Sequence, residues 1–309
     1  MWSTLLFVFV LGVLVRLSIA SIGVSLSKSL DTSGWSALVT ATPTIASASI
    51  HIMFYNGSIN PNAIPTIKSA WSANIRDLSV YMHPCLNTSV YSVQYNVACG
   101  SARYQFQQIL SRLSEQDVSF SHHLSSTPTV SNTPSAKPTA MPTRAPTAQM
   151  TGSPTAGVTV KRLFVCFEDE VPNRYMSNNH FENVNFMLEL QHEAVSHGVQ
   201  LGIYTTKNEW LNIMTVNGST TYPLDADGST FASINPFSDL PLWTPRFDSV
   251  NSMAFYAPFG NWSRVFMKEV SGSTTALHRI GSDRVGMTFV DDTVGTQFYS
   301  NQILEYIVS

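Results

Sequence analysis

Apolar residues recur in short runs that are typical of buried β-strands. Residues 49–57 (SIHIMFYNG), 77–84 (DLSVYMHP), 162–168 (RLFVCFE) and 199–206 (VQLGIYTT) each combine β-branched, aromatic and other apolar side chains. Each run is short and has polar or turn-forming residues at its ends. The pattern therefore predicts four strands that are buried in a sheet.

Amphipathic segments lie between these runs. Residues 62–74, 101–116 and 181–198 place their apolar positions on one helical face, and Gly198 is a typical helix end. Strands that alternate with helices are the signature of a parallel α/β sheet or barrel. The sequence therefore predicts an α/β fold.

A segment rich in Ser, Thr and Pro interrupts this alternation. Residues 119–158 contain no acidic residue and repeat the unit Pro-Thr-Ala. Such a composition cannot bury enough apolar surface to offset its chain entropy, so a disordered insertion is predicted, and outside the cell it would be a candidate for O-glycosylation. Residues 21–118 and 159–309 then form the two parts of one irregular (β/α) TIM-like barrel, because together they have the size of such a domain. Two separate half-domains are the alternative.

The first twenty residues resemble a secretory signal. An apolar run from Leu5 to Val15 is followed by small residues up to Ala20. This run is too short for a membrane span, which needs roughly 20 apolar residues, and Arg16 argues against an uncleaved anchor. Residues 1–20 are therefore predicted to be a cleaved signal peptide.

Charge and motifs exclude several classes of function. Of the 309 residues only 12% are charged, and the formal net charge is −3. This balance gives no basic surface for nucleic acid or for an anionic membrane. The sequence shows no phosphate loop, nucleotide fingerprint or metal-ligand spacing. We expect no cofactor and no metal, no nucleic-acid partner, no membrane partner after signal cleavage, and a monomer.

The cysteines and the glycosylation triplets agree with an oxidising compartment. Cys85 and Cys99 bracket a short loop that a disulfide would close, and Cys166 would then be the odd cysteine. Four Asn-x-Ser/Thr triplets mark candidate exposed loops in a secreted chain; they begin at Asn56, Asn87, Asn217 and Asn261.

Acidic residues stand at three predicted strand ends. These are Asp31, Glu168 and Asp291, with Asp292 as the alternative to Asp291. Barrel enzymes carry their catalytic groups at the carboxyl ends of strands, and glycoside hydrolysis needs one protonated and one ionised carboxyl group. Solvated turn residues are the alternative interpretation of all three acids.

Several longer stretches resemble glycoside hydrolase family 25, the Chalaropsis-type lysozymes. Residues 183–214 are similar to that family's helix, its "GIYT" strand and the tryptophan that follows. Similar matches in order and spacing are found at 59–85 (INPNAIPTIKSAWSANIRDLSVYMHPC), 240–248 (LPLWTPRFD) and 258–272 (PFGNWSRVFMKEVSG). The resemblance implies a secreted muramidase on a barrel fold.

Catalytic roles follow from the resemblance only at matching positions. Glu168 is implied as the general acid, with Asp31 and Asp291 as electrostatic and positioning carboxylates. Cys166 stands where the family's Asp-x-Glu motif has its aspartate, so the position is kept and the charge is lost. A frame shifted by two residues, with Glu168 and Glu170 as the pair, is the alternative.

Substrate contacts are implied at Tyr204, Trp243 and Asp248, together with Cys166. The substrate would be the glycan strands of bacterial peptidoglycan, cut at the β-1,4 link between N-acetylmuramic acid and N-acetylglucosamine, in an extracellular, lysosomal or phagosomal space. Cys166 favours a second hypothesis, a glycan-binding pseudoenzyme of the same fold. A surface glycoprotein whose functional part is the insertion is the third. His83 is expected to have a structural or surface role.

Overall fold

A computed structural model describes residues 21–26, 31–41, 45–89, 92–93, 96–121, 157–167, 175–225, 230–245, 257–262, 265–269, 278–280, 283–290 and 301–307. None of the helices in these ranges combines the length and the apolar character that a membrane span requires.

Five α-helices are described. They are α1 (Thr32–Ala41), α2 (Ala63–Ser72), α3 (Ala102–Ser114), α4 (His180–Ser196) and α5 (Lys207–Met214). Helices were predicted at 62–74, 101–116 and 181–198, and α2, α3 and α4 confirm them with ends shifted by one or two residues. Local capping explains these limits: Ser101 accepts a hydrogen bond from the Tyr104 N–H, and Gly198 follows α4 with a φ of 65°.

The strands extend along the whole described chain. The first seven are β1 (Ser21–Leu26), β2 (Ile45–Met53), β3 (Asp77–Met82), β4 (Val118–Phe120), β5 (Val158–Val160), β6 (Arg162–Phe167) and β7 (Gln200–Thr205). The others are β8 (Tyr222–Pro223), β9 (Phe231–Ala232), β10 (Leu242–Pro245), β11 (Met267–Glu269), β12 (His278–Ile280), β13 (Asp283–Val290) and β14 (Asn301–Ile307). The four strands predicted from the sequence correspond to β2, β3, β6 and β7.

A mixed but mostly parallel sheet forms the centre of the fold. Its order is β11-β10-β7-β6-β3-β2-β1-β14-β13-β12. Strand β13 runs antiparallel to β11, β12 and β14, whereas the remaining neighbours are parallel. The α/β class predicted from the sequence is confirmed. The antiparallel strands show that strict strand–helix alternation does not continue into the last part of the chain.

The two faces of the parallel strands differ in what they bury. On β6, Leu163, Val165 and Phe167 pack in the main core, which also contains buried residues of α2, α3, α4 and α5. Phe164 and Cys166 lie on the opposite face, because side chains alternate along a strand. We call the residues buried together on that face the inner cluster; they are Tyr81, Phe164, Cys166, Tyr204, Trp243 and Phe266.

The ends of the insertion lie next to each other. Strands β4 and β5 pair in parallel, with Val118 opposite Val158. Parts of the segment 119–158 are therefore strand, and this corrects the limits of the predicted disordered insertion at both ends. The Lys161 N–H donates to the Leu78 carbonyl at 2.6 Å, at the start of β3. The chain thus leaves and re-enters the fold near the amino end of β3. This end of the sheet is opposite the carboxyl ends of the parallel strands.

Candidate active site

Four neighbouring strands bring one row of side chains to the carboxyl edge of the sheet. Cys166 on β6 pairs with Tyr204 on β7, and Tyr204 pairs with Trp243 on β10. His83 follows Met82, whose partner is Val165, so the register brings His83 level with Cys166. We call His83, Cys166, Tyr204 and Trp243 the rim row. Ligands of parallel α/β proteins bind at this edge.

Aromatic edge-to-face contacts fix the rings of the inner cluster. The Trp243 ring centroid lies 4.6 Å from that of Tyr204, 5.4 Å from that of Phe164 and 6.1 Å from that of Tyr81, with interplanar angles of 78° to 90°. Such pairs contribute about 0.5–1.5 kcal/mol each beyond the area that they bury. The Trp243 Nε1–H is buried and has no hydrogen-bond partner among the described residues.

Gly202 makes room for the ring of Phe164. The two residues pair between β6 and β7, and a Cβ atom built at position 202 would lie 2.5 Å from Phe164 Cε1 and 3.2 Å from the Pro241 carbonyl oxygen. No side chain fits there without displacing the aromatic ring. The glycine of the "GIYT" stretch therefore supports the packing beneath Trp243.

His51 is a buried, neutral histidine on the inner face of β2. Its Nε2 lies 2.8 Å from the Met53 carbonyl oxygen. A carbonyl oxygen can only accept a hydrogen bond, so Nε2 carries the proton in the neutral ring. Burial lowers the pKa of His51 to about 4, although the bond to Met53 opposes this shift. The ring stacks on Tyr81 with centroids 4.7 Å apart.

His83 belongs to the same group of rings. Its backbone N–H donates to the Met53 carbonyl at 3.0 Å, and its ring lies 4.9 Å from His51 and 6.2 Å from Tyr175. Burial, with a smaller contribution from electrostatic repulsion by His51 when that ring is protonated, lowers the pKa of His83 to about 3. The ring is partly exposed, yet its Nδ1 atom is buried and unpartnered within the described ranges. The sequence favoured a structural or surface role for His83, and strand pairing places this residue beside Cys166.

Loops on the β2–β3 side of the site are joined by several contacts. The Leu86 N–H donates to the Tyr175 carbonyl at 3.1 Å, and Tyr55 stacks on Tyr175 with ring centroids 4.5 Å apart. A disulfide joins Cys85 to Cys99, which confirms the pairing suggested by the sequence, and Cys166 is not part of a disulfide. These contacts hold the segments after β2 and β3 against the segment that leads into α4.

Asp31 caps helix α1. Its Oδ1 accepts hydrogen bonds from the Ser33 hydroxyl and the Gly34 N–H, both at 2.8 Å. These bonds lower the pKa of Asp31, the bond from Gly34 having the largest effect, so the exposed carboxylate remains ionised in weak acid. Strand β1 ends at Leu26, so Asp31 marks a helix start rather than the strand end itself.

The sequence-predicted residues divide into three groups. Cys166, Tyr204 and Trp243 lie together in the inner cluster. Asp31 is described, but none of its hydrogen bonds given above involves that cluster. Glu168, Asp248 and Asp291 lie outside the described residues, as do the alternatives Glu170 and Asp292. Within the part of the chain that the structure describes, no group of three or more His, Cys, Asp or Glu side chains is arranged to hold a metal ion.

Comparisons with known proteins relate this chain to lysozymes. It is 24% identical over 272 residues to "Probable GH family 25 lysozyme 5" of Dictyostelium discoideum, a match that covers 87% of this chain and 91% of the relative. A family model described as "Lysozyme-like protein 1" matches residues 127–227. The chain resembles the family 25 lysozymes. Similarity to these proteins supports a glycoside hydrolase.

Two further matches extend the likeness to lysozymes. "Lysozyme-like protein 5" of Caenorhabditis elegans is 23% identical over 220 residues, which are 71% of this chain and 70% of that protein. The solved bacterial lysozyme from Streptomyces coelicolor has the same fold, with a TM-score of 0.53 at 12% identity; the match covers 89% of this chain and 94% of that structure. The resemblance inferred from the quoted motifs is thereby confirmed.

Proposed function

We propose that this protein is a muramidase-like glycoside hydrolase that cleaves the β-1,4 link between N-acetylmuramic acid and N-acetylglucosamine in bacterial peptidoglycan. One observation carries the proposal: the rim row lies at the carboxyl edge of the sheet, in a fold shared with a bacterial lysozyme, and β6 leads directly into Glu168. An acidic residue at this edge is where barrel glycosidases need their proton donor.

Glu168 is the general acid in this proposal. It follows Phe167, the last residue of β6, directly in the sequence. A general acid must be protonated at the working pH, and desolvation by apolar surroundings is one physical means of keeping a carboxyl group protonated. The protonated carboxyl group then gives its proton to the glycosidic oxygen as the C–O bond breaks.

Carboxylates stabilise the positive sugar that remains. Asp31 suits this role because its hydrogen bonds keep it ionised. Asp291 is the second proposed carboxylate, while Tyr204, Trp243 and Asp248 contact the sugar. A water molecule then attacks the anomeric carbon, and the carboxylate of Glu168 accepts its proton, which returns Glu168 to its acid form.

The remaining sequence predictions belong to the same proposal. Residues 1–20 act as a cleaved signal, and the mature monomer works in an extracellular, lysosomal or phagosomal space. The pairing of β11 with both β10 and β13 links the two sides of the sheet, and this supports a barrel. The Ser/Thr/Pro-rich insertion between β4 and β5 belongs to the same proposal.

A pseudoenzyme that binds glycan without cutting it is the second candidate. Cys166 favours it, since this buried thiol is 4% exposed and stands where the family's motif has an aspartate. A neutral thiol cannot supply the negative charge of a carboxylate to the substrate or the attacking species.

The loss of turbidity of a bacterial cell-wall suspension, together with release of reducing sugar, tests the proposal. We expect the wild type to be active and Glu168→Gln to be inactive. Glu170→Gln tests the shifted motif, and Glu115→Gln is a matched control at an exposed helix end. Full activity of a folded Glu168→Gln variant would refute the assigned acid. Binding without any sugar release by the wild type would establish the pseudoenzyme instead.

A further inference from the structure

Three rings line the β2–β3 side of the candidate site beside the rim row. Tyr55 follows β2, His83 follows β3, and Tyr175 precedes α4. Tyr55 and Tyr175 stack with centroids 4.5 Å apart and planes at 25°, and Tyr175 lies 6.2 Å from His83. We call these three residues the tyrosine–histidine wall.

Backbone hydrogen bonds hold each member of the wall in place. Tyr55 sits in a tight turn closed by the bond from the Gly57 N–H to the Phe54 carbonyl at 2.9 Å. The His83 N–H bonds to the Met53 carbonyl, and the Tyr175 carbonyl accepts the Leu86 N–H. The wall is therefore preorganised, and a ligand that binds it need not order these loops.

Exposure distinguishes the wall from ordinary core packing. Tyr204 is 4% exposed and Trp243 is 2% exposed, whereas Tyr55, His83 and Tyr175 are all only partly buried. Aromatic side chains in a simple core would be covered. The residues of the wall are therefore partly accessible to solvent at the edge where the rim row ends.

We propose that the tyrosine–histidine wall is a sugar-binding subsite that takes one N-acetylhexosamine ring of a glycan strand. The tyrosine rings offer an apolar face for the C–H groups of a pyranose, and the histidine ring offers its Nε2 atom for a hydroxyl or acetamido group, since Nδ1 is buried. The inference rests on the proposed function, which it deepens by assigning part of the groove.

The protonation state of His83 suits this role. Since burial and the nearby His51 hold its pKa down to about 3, the ring is neutral in weakly acidic and neutral solution. A neutral imidazole has one hydrogen-bond donor and one acceptor, whereas a charged ring has two donors. A sugar hydroxyl group can match the Nε2 atom of the neutral ring in either tautomer, because a hydroxyl group both donates and accepts.

Binding and turnover are measured separately to test the wall in the full chain. Tyr55→Ala, Tyr175→Ala and His83→Gln are compared with wild type for depletion from solution by insoluble peptidoglycan and for kcat and KM of sugar release. Phe231→Ala and His192→Gln are the matched controls, since both residues are exposed away from the wall, on β9 and α4. Thermal unfolding checks that each variant is folded.

We expect each wall variant to weaken binding and to raise KM by roughly five- to tenfold, with kcat within about twofold of wild type. Tyr175→Phe keeps the ring and should bind like wild type, which separates ring contact from a loss of folding. Wild-type affinity in all three folded wall variants would overturn the subsite. So would a wild type that binds no glycan at all.

The two proposals fail in different ways. A wild type that binds peptidoglycan through the wall but releases no sugar contradicts the hydrolase and keeps the subsite. Sugar release that is indifferent to the wall variants contradicts the subsite and keeps the hydrolase.

Discussion

The ring of His51 stacks face to face on the ring of Tyr81, with centroids 4.7 Å apart and planes within 3°. The Met53 carbonyl fixes the neutral tautomer of this histidine and also accepts the backbone N–H of His83. Two neutral histidines are thus built into the floor and wall of the candidate site, and their protonation carries a cost for the fold.

Stability should fall as the pH drops from 7.5 to 5. The folded pKa of His51 is about 4, below its ordinary value of 6.5, so the unfolded chain binds more protons in this range. The stability that neutral His51 contributes is fully present above pH 6.5 and is lost as the pH falls toward 4. The expected loss for His51 is about 2 kcal/mol by pH 5.

Urea unfolding at both pH values measures this loss. In His51→Gln, the free energy of unfolding should differ less between pH 7.5 and 5 than in wild type. His192→Gln replaces an exposed helical histidine and should show the same difference as wild type. An equal pH dependence in wild type and His51→Gln would contradict the assignment of a buried neutral ring.

Gly202→Ala should destabilise the protein by about 1–3 kcal/mol, because the new Cβ atom overlaps Phe164 and forces it toward Trp243. Gly157→Ala is the control, since a Cβ atom there lies 3.6 Å from its nearest neighbour, an ordinary contact. Denaturant midpoints of the two variants give the answer. Equal midpoints would show that the inner cluster accommodates a Cβ atom at position 202 without a loss of stability, which would contradict the predicted overlap with Phe164.

Two substitutions at Asp31 separate its structural and proposed catalytic roles. Asn retains the cap of α1, because its side-chain oxygen can accept the bonds from Ser33 and Gly34, whereas Ala removes the cap. We expect Asp31→Ala to lower the thermal midpoint by a few degrees and Asp31→Asn to leave it close to wild type. If the carboxylate acts in hydrolysis, the rate of sugar release falls roughly tenfold or more in both variants. Full activity in Asp31→Asn would limit Asp31 to capping.

Cys166→Asp should raise sugar release by roughly threefold or more and cost about 1–3 kcal/mol of stability, because it restores the carboxylate of the motif inside a buried aromatic cluster. Cys166→Asn has nearly the same shape without the charge and should raise nothing. Reducing-sugar assays and denaturant unfolding measure the two effects. Equal activity in the folded Asp and Asn variants would show that the charge at this position is not what the site lacks.

Local pattern was sufficient for much of the fold. Helix α3 was predicted within two residues at each end, because its apolar positions repeat at helical spacing and Ser101 caps its start. The same applies to β6, whose apolar run ends where the acids begin. Periodicity and capping are properties of residues a few positions apart, so the sequence alone contains them.

Pairing across the chain was decided by the tertiary structure. The sequence placed Cys166, Tyr204 and Trp243 in one groove through motif resemblance, yet it gave no sign that His83 stands level with Cys166, since the two are joined by the register of β3 and β6. The pairing of Val118 with Val158 and the antiparallel β13 were missed for the same reason. Contacts between distant segments depend on how whole strands and helices pack against one another, and no local repeat in the amino-acid sequence records that choice.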